Sequence, residues 1–195
     1  MILGSHNSWS FLTPERWWMR LIAFTARCQR ANFYEQCLHD VRCFDLRIRF
    51  DDDGVWHIVH GPIVYKLYKG VYEYDIFHNL SHLNDMGAYV RVILDIRSKR
   101  KYTSIQREWF IDFCKEMELM YPNIKFWCGR CLADWGNVVY PFADTPSCEE
   151  RYGSVTKPKW LWGIWPRLYA KRHNKEIRER GTDKDILLID FVDIK

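Results

Sequence analysis

The sequence predicts an α/β fold: a single domain over residues 1–195, folded as a small and irregular TIM-like (β/α) barrel. Segments with the pattern of strands alternate with segments with the pattern of helices, which favours a mainly parallel sheet. Polar residues stand where several predicted strands end, and the functional sites of such barrels lie at that face. A regular barrel needs about 250 residues. This chain has 195, so we expect short or missing helices.

The predicted strands are short, and they are either apolar or alternate between apolar and polar residues. Residues 43–50 alternate, as in a strand with one buried face. The Asp-Asp-Asp-Gly sequence at 51–54 predicts a hairpin-type turn into a strand over 55–60. The remaining predicted strands are 2–3, 89–96, 123–128 and 186–191.

The predicted helices are recognised by their first residues and their periodicity. Thr13, Pro14 and Glu15 have the pattern of an N-cap, a proline in the first turn and an acidic first turn, which predicts a helix that runs to about Arg27. Residues 104–121 are amphipathic with the helical period. The other predicted helices are 32–39, 74–85 and 167–180.

Composition narrows the class of protein. With 48% apolar and 28% charged residues the chain is neither disordered nor a membrane bundle. It has no apolar run of the about 18 residues that cross a bilayer. The net charge of +4 fits an anionic substrate or membrane surface, and we expect a monomer with no nucleic-acid partner. An odd number of cysteines and no signal-peptide pattern favour the cytoplasm, with a secreted protein that has lost its signal peptide as the alternative.

Three residues have the chemistry that cleavage of a phosphodiester requires: a base, an acid and a cation for the phosphate oxygens. His6 lies in a polar turn directly after a strand, and His60 ends a strand before Gly61 and Pro62. Arg47 lies in the strand between them in sequence and provides a fixed cation. Histidine suits both proton roles because its pKa lies near neutrality.

Each of these residues also has a structural interpretation. A histidine near a strand end is more often structural or solvated than catalytic, and a strand arginine is usually an ion-pair partner. His57, three residues before His60 on the same predicted strand, is the alternative choice for the functional histidine of that strand.

Three segments taken together resemble a known family. They are Gly-Ser-His-Asn-Ser at 4–8, Cys-Phe-Asp-Leu-Arg at 43–47 and Val-His-Gly-Pro at 59–62. In order and separation they resemble the signature segments of the phosphatidylinositol-specific phospholipase C X-domain. Residues 92–97 resemble the next family strand, and residues 188–191 resemble the last strand of the bacterial, metal-independent members.

The resemblance implies a role for each matching residue. His6 is then the base that deprotonates the inositol 2-hydroxyl, and Asp190 is the carboxylate that orients it. His60 is the acid on the glyceride oxygen, and the products are diacylglycerol and an inositol cyclic phosphate. Arg47 matches the phosphate-binding arginine of the bacterial enzymes, and Asp45 braces it or lines the pocket.

The same resemblance implies a site without a cofactor or metal. Eukaryotic members have calcium-binding acids at the positions of Arg47 and Arg97, and a cation at each position replaces the charge of the metal. Asn7 departs from the aspartate of typical bacterial members, although its amide still suits a substrate hydroxyl or phosphate oxygen. Calcium bound by Asn7 and Asp45 is therefore the alternative.

Two further features carry predictions of contact with the substrate or with its membrane. Trp17 and Trp18 follow the first motif on a predicted helix rich in arginine, and a short helix here contacts the membrane in bacterial relatives. Simple packing of that helix on the barrel is the alternative. Arg130 lies inside a Cys-x-x-Cys sequence that lacks the further ligands of a zinc site, and we assign it as an additional substrate contact.

Two other functions compete with this prediction. A glycerophosphodiester phosphodiesterase shares the barrel but requires a Glu-x-Asp metal pair, where this chain has Asp-Leu-Arg at 45–47. A degenerate member that binds lipid or a partner protein without catalysis is favoured by Asn7. The complete set of His6, Arg47, His60 and Asp190 argues against it.

Overall fold

The computed structural model describes residues 1–95, 103–128, 138–143, 149–152, 165–182 and 185–194. Within these ranges the chain forms eight strands and five α-helices. The strands are β1 Ile2–Ser5, β2 Cys43–Phe50, β3 Trp56–His60, β4 Ile63–Val64, β5 Tyr89–Leu94, β6 Lys125–Cys128, β7 Glu149–Tyr152 and β8 Asp185–Ile189. The helices are α1 Trp17–Ile22, α2 Phe33–Leu38, α3 Ile76–Met86, α4 Ser104–Met120 and α5 Pro166–Glu179, with a 3₁₀ turn at Ala23–Thr25.

Six strands pair in parallel in the order β7-β8-β1-β2-β5-β6. β3 and β4 are antiparallel additions: β3 pairs with the end of β2, and β4 pairs with β3. The predicted α/β class, with a mainly parallel sheet, is therefore confirmed. Started at β1 and continued from β6 to β7, this spatial order is β1, β2, β5, β6, β7 and β8. It is therefore the order in which the parallel strands follow one another along the chain.

The two outer strands of this order are β6 and β7. In the described part of the chain no backbone pairing joins them, so the sheet is open there. The order is the one that a barrel requires, and closure of the barrel remains a prediction.

The segment around the predicted first helix differs from the sequence prediction. Lys66 donates its backbone N–H to the carbonyl of Thr13, and Glu15 donates to the carbonyl of Val64. Residues 13–15 are therefore held in an extended conformation beside β4 instead of capping a helix. Helix α1 begins only at Trp17 and gives way to the 3₁₀ turn at Ala23.

The strand faces divide the interior into an apolar part and a polar part. Phe44, Leu46 and Ile48 point from β2 into the main hydrophobic core, which also packs against α3 and α4. By the alternation of a strand, Cys43, Asp45 and Arg47 share the opposite face of β2. That face carries the candidate site.

Candidate active site

His6 and Asp190 are brought together by the pairing of β1 with β8. Ser5 lies opposite Ile189 in the parallel register, and the backbone N–H of His6 donates to the carbonyl of Ile189 at 2.9 Å. His6 and Asp190 directly follow these two strands and therefore lie side by side. Nδ1 of His6 is 2.7 Å from Oδ1 of Asp190, and the two residues are 2% and 1% exposed.

Arg47 contacts the other ring nitrogen of the same imidazole. Its Nη2 is 2.6 Å from Nε2 of His6, and its Nε donates to Oδ2 of Asp45 at 3.0 Å. Because a guanidinium only donates, Nε2 of His6 accepts and Nδ1 carries the proton that Asp190 accepts. The ring is thus held in the tautomer whose Nε2 lone pair is directed at the guanidinium of Arg47.

The rings of His60 and His6 form an edge-to-face pair. Their ring centroids are 5.9 Å apart and their planes are nearly perpendicular, at 86°. Nδ1 of His60 donates to the backbone carbonyl of Ala26 at 2.5 Å, which leaves Nε2 for a ligand. Burial, together with the charges of Arg47 and His6, lowers the pKa of His60 to about 4, against smaller opposing effects of Asp95 and of the hydrogen bond to Ala26. In the unliganded site this ring is neutral at neutral pH.

Asp45 lies beneath Arg47 and is fully buried. Its carboxylate accepts from Nε of Arg47, from Nη1 of Arg91 at 2.8 Å and from the backbone N–H of Asn7 at 2.9 Å. Burial opposes ionisation, but the two guanidiniums outweigh it and hold the pKa of Asp45 well below its ordinary value. Asp45 therefore braces Arg47 as an anion, and its oxygens are already occupied by donors.

Asn7 is the unusual residue of the group. It is fully buried, its backbone has a left-handed φ of 46°, and within the described residues neither Oδ1 nor Nδ2 has a hydrogen-bond partner. Buried polar groups are nearly always paired, because an unpaired group loses its hydration without compensation. The amide of Asn7 beside the Asp45–Arg47 pair is therefore suited to a polar group of a bound substrate.

No protein-family model matches the sequence, and no curated protein does. The fold, by contrast, is similar to solved structures. The phosphatidylinositol-specific phospholipase C of Listeria monocytogenes covers 97% of this chain with 87% of its own, at 13% identity and a TM-score of 0.55. A variant of the Staphylococcus aureus phospholipase C covers 97% with 84% of its own, at 15% identity and a TM-score of 0.62.

The chain has the fold of these bacterial phospholipases C. A further Staphylococcus aureus structure, concerned with modulation of membrane binding by that enzyme, covers 97% of this chain with 85% of its own, at 15% identity and a TM-score of 0.54. At such low identity the likeness is one of fold. The chemistry of this chain has to be argued from its own side chains.

The structure also adds residues that the sequence did not indicate. The side chain of Gln29 donates to the carbonyls of His6 and Ile189 and accepts from the backbone N–H of Val192, which ties the His6 turn to the end of β8. Sγ of Cys28 lies 3.8 Å from Nδ1 of His60. Both residues lie between α1 and α2 in a stretch without periodicity or motif, so no sequence signal marked them.

Arg91 was predicted only as part of a buried strand. It lies opposite Asp45 in the β2–β5 register and is fully buried. A signal did exist here, because an arginine in the middle of an otherwise apolar strand needs an anion on the same face of the neighbouring strand.

The other predicted site residues are placed as follows. Trp17 is 73% exposed and Trp18 is 36% exposed, both on α1. His57, the alternative to His60, lies 3.1 Å from Asp51 in the β2–β3 turn. Arg97 and Arg130 lie outside the described residues.

One group of side chains has the composition of a metal site. One ring nitrogen of His6, Sγ of Cys28 and one carboxylate oxygen of Asp190 lie within 4.8 Å of one another. The histidine and the carboxylate are hydrogen-bonded to each other in the arrangement that orients a base. Burial and the nearby Asp190 carboxylate raise the pKa of the Cys28 thiol well above its ordinary value, which disfavours the thiolate that metals bind.

Proposed function

We propose that the chain is a metal-independent phosphodiesterase of the phosphatidylinositol-specific phospholipase C type. The reaction is cleavage of an inositol phospholipid to diacylglycerol and an inositol cyclic phosphate. The observation that carries the proposal is the proximity of two imidazoles, His6 and His60, with Arg47 hydrogen-bonded to the first of them. A base, an acid and a cation that can reach one phosphate are the groups that this reaction needs.

His6 acts first, as the base. A substrate phosphate competes with Nε2 of His6 for Arg47, and once Arg47 binds the phosphate, Nε2 is free to take the proton of the inositol 2-hydroxyl. Asp190 stabilises the imidazolium that forms. The 2-oxygen attacks phosphorus, a new P–O bond closes the cyclic phosphate, and the P–O bond to the glyceride breaks. Arg47 holds the non-bridging oxygens while their charge rises.

His60 completes the reaction as the acid. The departing glyceride oxygen takes a proton from Nε2 of His60. In the empty site the charge of Arg47 helps to lower the pKa of His60 to about 4. A bound phosphate offsets that charge, so binding of the substrate raises the pKa of His60 and favours the protonated form that the acid role needs.

The donor set supports chemistry without calcium. Calcium requires several free oxygen ligands. The carboxylate of Asp45 accepts hydrogen bonds from two guanidiniums and a backbone N–H, and the cation Arg47 lies 3.0 Å from it. The positive charge that calcium supplies elsewhere is provided here by arginine.

Contact with a membrane is part of the proposal because the substrate is a lipid. The exposed Trp17 and Trp18 on α1 suit the membrane interface, where aromatic rings are favoured. Among the described residues no helix is long and apolar enough to cross a bilayer. The contact is therefore proposed as peripheral.

The test is an assay of phosphatidylinositol cleavage in the presence of a strong chelator, with detection of inositol cyclic phosphate. Wild-type protein should form the product, and His6→Ala and His60→Ala should each lower the rate by at least about 10²-fold. His57→Ala is the matched control, because His57 lies on the same strand as His60 but contacts Asp51. Product that appears only with added calcium, or equal loss in the control, contradicts the proposal.

A further inference from the structure

A second cationic site lies beside the catalytic group. It is a cavity of about 500 Å³ bounded by the segment that follows β1, the end of β8 and the start of α5. Four arginines, from two parts of the chain, line it together with apolar and hydroxyl groups: Arg20, Arg27, Arg30, Arg167, Thr13, Pro14, Ala23, Phe24 and Phe191. None of these lining residues is acidic.

The cavity is distinct from the site formed by the two histidines, although the same chain segments contribute to both. His6, Arg47 and His60 do not line it. Ala26 directs its carbonyl to His60, whereas the next residue, Arg27, lines the cavity. Neighbouring residues of this segment therefore serve two different sites.

The charge of the cavity is not balanced by the protein around it. Among the described residues no carboxylate lies within ion-pair distance of the four guanidiniums, and Nε of Arg27 is buried without a hydrogen-bond partner. Helix α5 adds to the positive potential, because its first turn starts at the cavity and Trp165 at the N-cap offers no side-chain hydrogen bond. Clustered cations repel one another, so this arrangement favours an anion between them.

The rim of the cavity is apolar and exposed. The rings of Phe24 and Trp165 lie 5.1 Å apart and are 49% and 50% exposed. Trp17 and Leu21, on α1 in the same segment, are 73% and 67% exposed. Exposed aromatic and aliphatic side chains around a cationic centre match a lipid, whose charged headgroup and apolar chains meet at the membrane interface.

We infer that this cavity binds the headgroup phosphate of an anionic phospholipid, as a docking site separate from the catalytic histidines. Its volume lies in the range of pockets that hold small ligands, and arginine is the side chain best suited to bidentate contact with phosphate. Free phosphate has the same chemistry, but it makes no use of the apolar rim. The inference does not require the chain to be catalytically active.

The experiment measures binding to vesicles with the His6→Ala protein, so that no lipid is consumed. Vesicles of phosphatidylcholine with and without phosphatidylglycerol, which has an anionic headgroup but no inositol, are compared by co-sedimentation. Arg20→Gln/Arg30→Gln should weaken binding to the anionic vesicles at least about tenfold. Both side chains are exposed, so we expect the variant to fold, as checked by circular dichroism.

Two controls separate a site from general attraction between charges. Arg107→Gln/Arg172→Gln removes the same charge from exposed positions outside the cavity and should change binding less than about twofold. Arg20→Lys/Arg30→Lys keeps the charge but loses the planar fork, and should still weaken binding several-fold. Equal losses in the cavity and control variants, or full binding by the lysine variant, overturn the inference.

A second arm identifies the source of the phosphate. Inorganic phosphate, titrated into the same protein by calorimetry, should compete only weakly with the vesicles, because it lacks contact with the rim. Tight binding of phosphate that depends on Arg20 and Arg30, together with unchanged vesicle binding in the variant, would assign the cavity to a soluble anion and reject the lipid.

Discussion

Nδ1 of His6 and Oδ1 of Asp190 are 2.7 Å apart in a pocket that excludes solvent from both side chains. The contact fixes the proton on Nδ1, so Nε2 is left with a lone pair on the side of Arg47. It also places a negative charge where an imidazolium would form. The pairing of β1 with β8 imposes this geometry, and the proposed base depends on it.

Replacement of Asp190 by asparagine tests that dependence. The amide can donate its N–H to Nδ1, which shifts the proton of His6 to Nε2 and removes the base, and it offers no charge to an imidazolium. We expect the rate of phosphatidylinositol cleavage to fall by about 10² to 10⁴-fold with the fold retained. Asp193→Asn, three residues further on and exposed, is the control and should leave the rate unchanged. A rate within about threefold of wild type for Asp190→Asn would separate this pair from catalysis.

The low pKa of His60 predicts a dependence of stability on pH. Its pKa is about 4 in the folded protein against an ordinary value of 6.5, so between these values the unfolded chain binds a proton that the folded chain does not. Titration of His60 therefore leaves the unfolding free energy unchanged above pH 6.5 and lowers it as the pH falls from 6.5 towards 4. The loss is about 2 to 3 kcal/mol over this window.

Urea unfolding between pH 4.5 and 7 measures this loss. His60→Asn keeps a donor for the carbonyl of Ala26 but cannot titrate, so its unfolding free energy should vary less with pH than that of wild type. His57→Asn should retain the wild-type slope. Titration of Asp45 does not contribute to the change in this pH range, because its pKa is held below its ordinary value of 3.8. Parallel slopes for wild type and His60→Asn would contradict the assigned cause.

The buried cluster of Asp45, Arg47 and Arg91 predicts a large effect on stability. Asp45→Asn removes the carboxylate charge that pairs at 2.8 Å with Arg91, which is fully buried. Breaking one partner of a buried ion pair costs about 3 to 5 kcal/mol. Chemical denaturation should show this loss, whereas Asp112→Asn, which breaks the exposed pair with Lys115, should leave the midpoint nearly unchanged. A loss below about 1 kcal/mol for Asp45→Asn would contradict the stabilising role assigned to this pair.

Much of this arrangement could be predicted from the sequence, because strands position residues in a simple way. His6 and Asp190 directly follow parallel strands and Arg47 lies within one, so a mainly parallel sheet gathers these three at one region. His60 ends the antiparallel β3, and the pairing of β3 with β2 returns it towards the same region. Asp45 and Arg47 share a strand face because they are two residues apart.

The remaining features depend on contacts between distant parts of the chain. Ala26, Cys28 and Gln29 reach the site through a stretch without helical or strand period, and the two-residue β4 is too short to give a pattern. The early helix is shorter than predicted because residues 13–15 pair with residues 64–66. A helix-capping pattern depends only on neighbouring residues. It cannot show that the backbone of residues 13–15 will instead pair with a segment about fifty residues away.

Asn7 supports a prediction in which stability and activity change independently. Its φ of 46° is one that glycine adopts freely, and its buried amide has no partner in the described part of the chain. Asn7→Gly removes an unsatisfied group that costs about 1 to 3 kcal/mol and adds about 0.5 to 1 kcal/mol of backbone entropy. The unfolding free energy should therefore stay level or rise.

Activity should respond in the opposite way. If the amide of Asn7 contacts the substrate, its loss should lower kcat/KM by about 10²-fold, the usual size for a lost donor to a developing charge. Asp40→Gly is the matched control, because Asp40 also has a positive φ, 63°, but is exposed and pairs with Arg42. Unchanged cleavage by Asn7→Gly, or a loss of stability that explains the lost rate, would make the buried amide a packing feature and not a substrate contact. A stable protein with weakened catalysis would show that the chain keeps an unsatisfied amide for the sake of its ligand.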